Sequence, residues 1–205
     1  MDHPSRPHRP APYPDLTALI DAAGGQSPTS RAEIAAATAA VLVHVGREPG
    51  SGSDGRFVDL ADQVGIDTLA ALWQDSDPVS LPGSLFALYL LRQWFHVNGD
   101  GVGRLWQAGE PLAPADAVVA GVAEPGDVDS VRTVADAILS GVYRGDFAVA
   151  LERAAAVFRV LAAGRRFLAT ADERGKAELE LAERNDRVAA DLTAAARRWR
   201  EGTLR

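Results

Sequence analysis

The chain of 205 residues contains no cysteine, and of its 21 cationic residues only Lys176 is a lysine. The missing thiols exclude disulfides, thiolate zinc sites and cysteine nucleophiles. They agree with a reducing, cytoplasmic setting. Long apolar runs are also lacking. The most apolar stretch, Leu85 to Val97, falls well short of the ~20 residues that span a bilayer. Residues 1–14 hold five prolines with His3, Arg6, His8 and Arg9, and no apolar stretch of the signal-peptide kind follows. Residues 1–14 read as a disordered, proline-rich arm. The arginine bias, with abundant Ala, Gly, Val and Asp, suggests a high-GC genome and by itself implies no chemistry.

The charge that is present is unevenly placed. Residues 165–205 carry ten basic and eight acidic groups, whereas the whole chain is at −7. An acidic body argues against non-specific nucleic-acid binding, because it repels phosphates.

Apolar periodicity gives helices throughout. Asp15–Ala23 is a short one that Gly24-Gly25 ends. Ser30-Arg31-Ala32-Glu33 is a capping box opening a helix to about Gly46. Glu48–Gly55 is a surface loop, and Phe57–Val64 and Ile66–Gln74 are two short helices around Gly65. Leu81-Pro82-Gly83-Ser84 enters a helix over Leu85–Val97, apolar on nearly every side and therefore central and buried. Asn98-Gly99-Asp100-Gly101 forms a turn, with short helices over Val102–Ala108 and Ala115–Val122. Val128–Val142 and Asp146–Ala163 are amphipathic, and the short connection between them predicts an antiparallel hairpin.

From Arg165 the sequence becomes Ala, Glu, Arg and Leu, interrupted at Gly175. Leu181, Val188 and Ala195 repeat at seven, with Asn185, Leu192 and Trp199 at the alternate seam positions. This is a short coiled-coil-like register with one polar seam residue. The domain reading is therefore an arm over 1–14, a helical domain over 15–164 and a charged C-terminal helix over 165–205, packing on the body or on a second subunit. The fold class is all-α: a multi-helix bundle around a central buried helix, with a long C-terminal helix.

Motifs that could carry function mostly have a sufficient structural explanation. Leu60–Thr68 resembles a helix-turn-helix unit around Gly65, but the helix that would read DNA has no Arg or Lys for the phosphates, and Leu69, Leu72 and Trp73 look like core. Arg144-Gly145-Asp146 is a helix stop and an N-cap. Asn98-Gly99-Asp100-Gly101 puts Val102 and Gly109 where a calcium loop needs oxygen ligands. Among His3, His8, His44 and His96 no pair has metal-ligand spacing, so neither metal nor cofactor is expected, and His44 sits among valines as a core residue.

One place gathers polar and aromatic groups. Arg92, His96 and Asp100 are four apart, so a continuous helix would line up cation, imidazole and carboxylate. An Asp that orients a His is half of a general-base site, but no nucleophile can be placed beside it. With Trp94, Arg104 and Trp106 these residues are the candidate ligand pocket. Leu181, Asn185, Val188, Leu192 and Trp199 are the candidates for self-association.

Leu81-Pro82-Gly83-Ser84-Leu85, Tyr89-Leu90-Leu91-Arg92, Val119-Ala120-Gly121-Val122 and the run from Gly141 to Ala154, together with Phe57–Trp73, resemble an uncharacterised helix-rich protein family of actinobacteria. The resemblance covers roughly residues 56–165 and implies no activity and no site residues. The functional expectation is a non-enzymatic, cytoplasmic interaction, scaffold or regulatory protein with a protein partner or a second copy of itself. The alternatives are a DNA-associated transcription regulator, and a small-molecule binder or enzyme with a site near His96.

Overall fold

The computed structural model describes residues 28–45, 66–121, 133–138, 146–170 and 172–205. These residues are helical with no strand among them, and the helices pack against one another. In chain order they are α1 (Pro28–Val45), α2 (Ile66–Trp73), α3 (Leu81–Val97), α4 (Gly99–Gly109), a 3-10 turn (Glu110–Leu112), α5 (Pro114–Ala120), α6 (Phe147–Leu168) and α7 (Glu173–Arg200). Residues 133–138 are helical as well. None of these helices is long and apolar enough to cross a membrane. The arm, the Asp15–Ala23 and Phe57–Val64 helices, the Glu48–Gly55 loop, most of Val128–Val142 with its hairpin, Arg144-Gly145 and the surroundings of His44 lie outside the described residues.

The central helix is α6, not the Leu81–Asp100 stretch that the apolar pattern singles out. Fourteen of the 22 residues of α6 are buried, against nine of 17 in α3. Helices α3, α4, α5 and α7 all pack on α6. The physical reason is side-chain size. Ala148, Ala150, Ala154, Ala155, Ala156 and Ala162 are buried, and small side chains let neighbouring axes approach closely on several sides. Large residues raise the apolarity of α3, yet they leave Leu90 50% and Val97 75% exposed.

Helix ends follow local chemistry. Asp146 caps α6, its Oδ1 accepting from the Ala148 amide at 2.9 Å, and Arg165 and Arg166 sit in the last turn where the dipole favours cations. Asp172 caps α7 by accepting from the Gly175 amide at 2.9 Å. Gly175 therefore belongs to the first turn of α7 and does not interrupt it; a Cβ there would lie 1.7 Å from the Thr170 carbonyl oxygen. Helix α6 runs past Ala163 to Leu168, and α7 starts only at Glu173.

Helix α3 starts at Leu81 rather than Leu85, because proline is tolerated in a first turn. Ser80 caps it, accepting from the Gly83 amide at 3.2 Å. Asn98 then breaks the axis, but Gly99 already begins α4, so the expected four-residue turn is a near-continuous corner.

Two glycines define the tightest crossing. A Cβ on Gly109 of α4 would lie 2.0 Å from the Val160 carbonyl oxygen, and one on Gly164 of α6 would lie 2.0 Å from that of Leu105. The α6–α7 hairpin is clasped by Arg165 to Glu178, Arg166 to Asp186 and Arg200 to Glu152. Arg159 joins Asp116 of α5 at 3.1 Å and donates to the Thr193 hydroxyl at 2.6 Å.

Candidate functional site

The six residues singled out from sequence divide between two faces of α3 and the following helix. Positions 92 and 96 share a face, whereas 94 lies about 200° round the axis from 92. Arg92 Nε donates to Asp136 Oδ1 at 2.9 Å, and His96 Nε2 lies 3.1 Å from the same oxygen. The carboxylate that meets this pair is thus Asp136, from the helical segment 133–138, and not Asp100. The break at Asn98 carries Asp100 onto α4, where it is exposed, so the four-residue spacing no longer defines a face. Burial alone would raise the pKa of Asp136, but hydrogen bonds from His96 and Arg92 outweigh it and hold the carboxyl below its ordinary 3.8. The group is a charge clamp tying 133–138 to α3.

Arg104 is exposed on α4, and Trp106 is 1% exposed within the core. Leu69 and Trp73 are fully buried, and the Trp73 indole donates to the Thr38 hydroxyl at 3.2 Å, so the helix that resembled a DNA reader spends its apolar face on α1 and α3. Among the described residues no three of His, Asp and Glu gather to hold a metal ion.

Trp94 faces the other way, into a cleft of about 470 Å³ between α3 and α7, floored by Phe158 of α6. Phe86, Leu90 and Trp94, at i, i+4 and i+8, form one wall. Val188 and Leu192 form the opposite wall, and Gln74, Ser76 and Pro78 of the α2–α3 loop close one end. That loop is pinned to α7 and the residues after it: Arg198 donates to the Val79 carbonyl at 3.0 Å, and the Leu81 amide donates to the Arg205 carbonyl at 2.9 Å. At Trp94 the Arg165 guanidinium stands 5.3 Å from the indole centre, a cation–π contact.

Among the described residues that line the cleft, Asp191 is the only ionisable one. Among the described residues it forms no ion pair. Burial raises its pKa above 3.8, the nearby Asp77 charge adds to the rise, and Arg187 opposes it.

The residues expected to mediate self-association are largely occupied within the chain. The seam of α7 against α6 consists of Ala182, Asn185, Ala189, Leu192 and Ala196, with Ala195 also buried. Its heptad register is therefore shifted by one at alternate positions: Ala182 and Ala189 take the places assigned to Leu181 and Val188. The alanine face of α6 draws the helices close, so small residues fill the seam and larger ones flank it. Val188 turns into the cleft. Trp199 packs edge-on to Phe147, ring centres 4.9 Å apart. Asn185 Nδ2 is buried and has no hydrogen-bond partner among the described residues.

Sequence reasoning missed Asp136, Asp191 and the cleft itself. Asp136 and Asp191 meet their partners only through tertiary packing. The cleft had one local signal: the Phe86–Leu90–Trp94 stripe is surplus to the face that α3 needs for the core. No family model matches the chain, and no curated protein or solved structure matches it either.

Proposed function

We propose that the protein is a non-catalytic binding protein that holds a small, mainly apolar molecule in the α3–α7 cleft. The observation that supports this is the combination of a 470 Å³ volume, an apolar lining and a very small set of polar groups. Binding sites for small molecules commonly fall between about 300 and 1,000 Å³ and have this composition. Hydrogen bonds from Arg198 to the Val79 carbonyl and from the Leu81 amide to the Arg205 carbonyl hold the two sides of the cleft together at one end, which lowers the ordering cost of binding. The polar cluster at His96 fits a structural role better, because Arg92 and His96 converge on one carboxylate oxygen, that of Asp136.

The test uses Nile red, a neutral apolar dye. Fluorescence should rise on titration into the full chain, and Ala87→Trp, which places an indole in the cleft from a half-buried position, should abolish the rise while leaving the helical circular dichroism intact. An equal rise with both proteins overturns the assignment of the cleft.

Pairing of two chains through the α7 register has less support, because Asn185, Leu192 and Trp199 already pack within the chain. Of the tail arginines, Arg165, Arg166, Arg198 and Arg200 engage groups of the chain itself, which leaves fewer of them for DNA.

A further inference from the structure

We infer that the cleft selects an amphipathic cation, a molecule with an apolar body and a protonated amine, through Asp191. The inference rests on the cleft being the binding site and adds the charge of its occupant. Three observations carry it. Asp191 is the only ionisable one among the described residues that line the cleft, in surroundings of Leu192, Val188 and Phe86. It makes no ion pair among the described residues, so its charge is not already neutralised by a partner held in place. A second carboxylate, Asp77, adds negative charge at this side, since its field acts on Asp191. Asp77 itself is held by the Val79 amide, which donates to its Oδ1 at 2.7 Å. Among the described residues Arg187 is the cation whose charge acts on Asp191, and it is exposed to solvent, which screens it.

The shape agrees with the charge. The Phe86–Leu90–Trp94 wall extends about 12 Å along the helix axis, enough for an aryl-alkyl chain. Arg165 stands over the Trp94 indole but is paired with Glu178, so it leaves no free cation to attract an anionic ligand. A carboxylate in partly desolvated surroundings attracts an ammonium group more strongly than it does in water, and it repels a carboxylate ligand.

The experiment is calorimetric titration of the full chain at neutral pH with 4-phenylbutylamine, 4-phenylbutan-1-ol and 4-phenylbutanoate, which share one apolar body. The amine should bind about tenfold more tightly than the alcohol, a margin ordinary for one charge-assisted contact, and the acid most weakly. Asp191→Asn should bring the amine to the level of the alcohol and leave the alcohol unchanged, which also shows that the variant is folded. Asp77→Asn should reduce the amine's advantage by a smaller factor. Equal binding of amine and alcohol, or an amine affinity that Asp191→Asn does not alter, overturns the charge selection and leaves the apolar cleft standing. Failure of all three probes to bind overturns both readings.

Discussion

At the scale of single residues, two glycines of α4 separate helix propensity from packing. Alanine is favoured over glycine inside a helix by about 1 kcal/mol. Gly103 has nothing within 4 Å of a built Cβ, so Gly103→Ala should stabilise the fold by about 0.5–1 kcal/mol. Gly109 lies six residues further along the same helix, and its Cβ would meet the Val160 backbone at 2.0 Å. Backbone on both sides cannot give way as a side-chain tip can, so Gly109→Ala should destabilise by about 2 kcal/mol despite the propensity gain. Urea denaturation of the two variants checks the opposite signs; a loss of stability in both, or a gain in both, contradicts the crossing. Asp191 gives a second residue-scale prediction. Its folded pKa is raised above 3.8, so the charged form costs the fold stability at neutral pH, and the cost disappears as the pH falls below 3.8. Asp191→Asn should raise the Tm by about 1–2 °C at neutral pH and leave it unchanged in acid.

At the scale of elements, α3 has three duties on three faces: core, charge clamp and cleft wall. The first was legible in the sequence. Leu85, Leu88 and Leu91 read as core and are core, at 2% exposure or less. The clamp was half legible. Arg92 and His96 share a face by spacing alone, but their carboxylate comes from 40 or more residues away, and local spacing offered Asp100 instead. In α7 the heptad showed that one face would be buried and located Asn185 and Leu192 on it, yet the register slipped toward Leu181 and Val188. Pattern reading favours the larger apolar residue, whereas close packing against alanine favours the smaller. The clamp yields a test with a definite sign. Asp136 is held below 3.8 in the fold, so it contributes stability above the ordinary carboxylate value and loses it as the pH falls through the depressed one. The carboxylate is half exposed, which limits the contribution to about 0.5–1 kcal/mol. Asp136→Asn should cost that amount at neutral pH by urea denaturation, with the gap to the native chain closing in acid; a gap that widens in acid would show that Asp136 is not held as a charge.

At the scale of the whole molecule, an alanine-rich helix gathers its neighbours closely, and the larger residues of α3 and α7 then meet over it without filling the space between them. The all-α class follows from periodicity and caps, which are local, and the sequence was sufficient for it. The cleft arises where two helices and a loop fail to close over Phe158, and no local pattern reports such a remainder. On the function proposed above, this cleft, and not the His96 cluster, is where the protein meets its ligand. The most direct test is an NMR titration of the isotope-labelled full chain with 4-phenylbutan-1-ol. Shifts should be confined to the Trp94 indole, the amides of Gly83–Leu91 and those of Val188–Leu192. Shifts centred instead on Arg92, His96 and Asp136, with Trp94 unmoved, would contradict it.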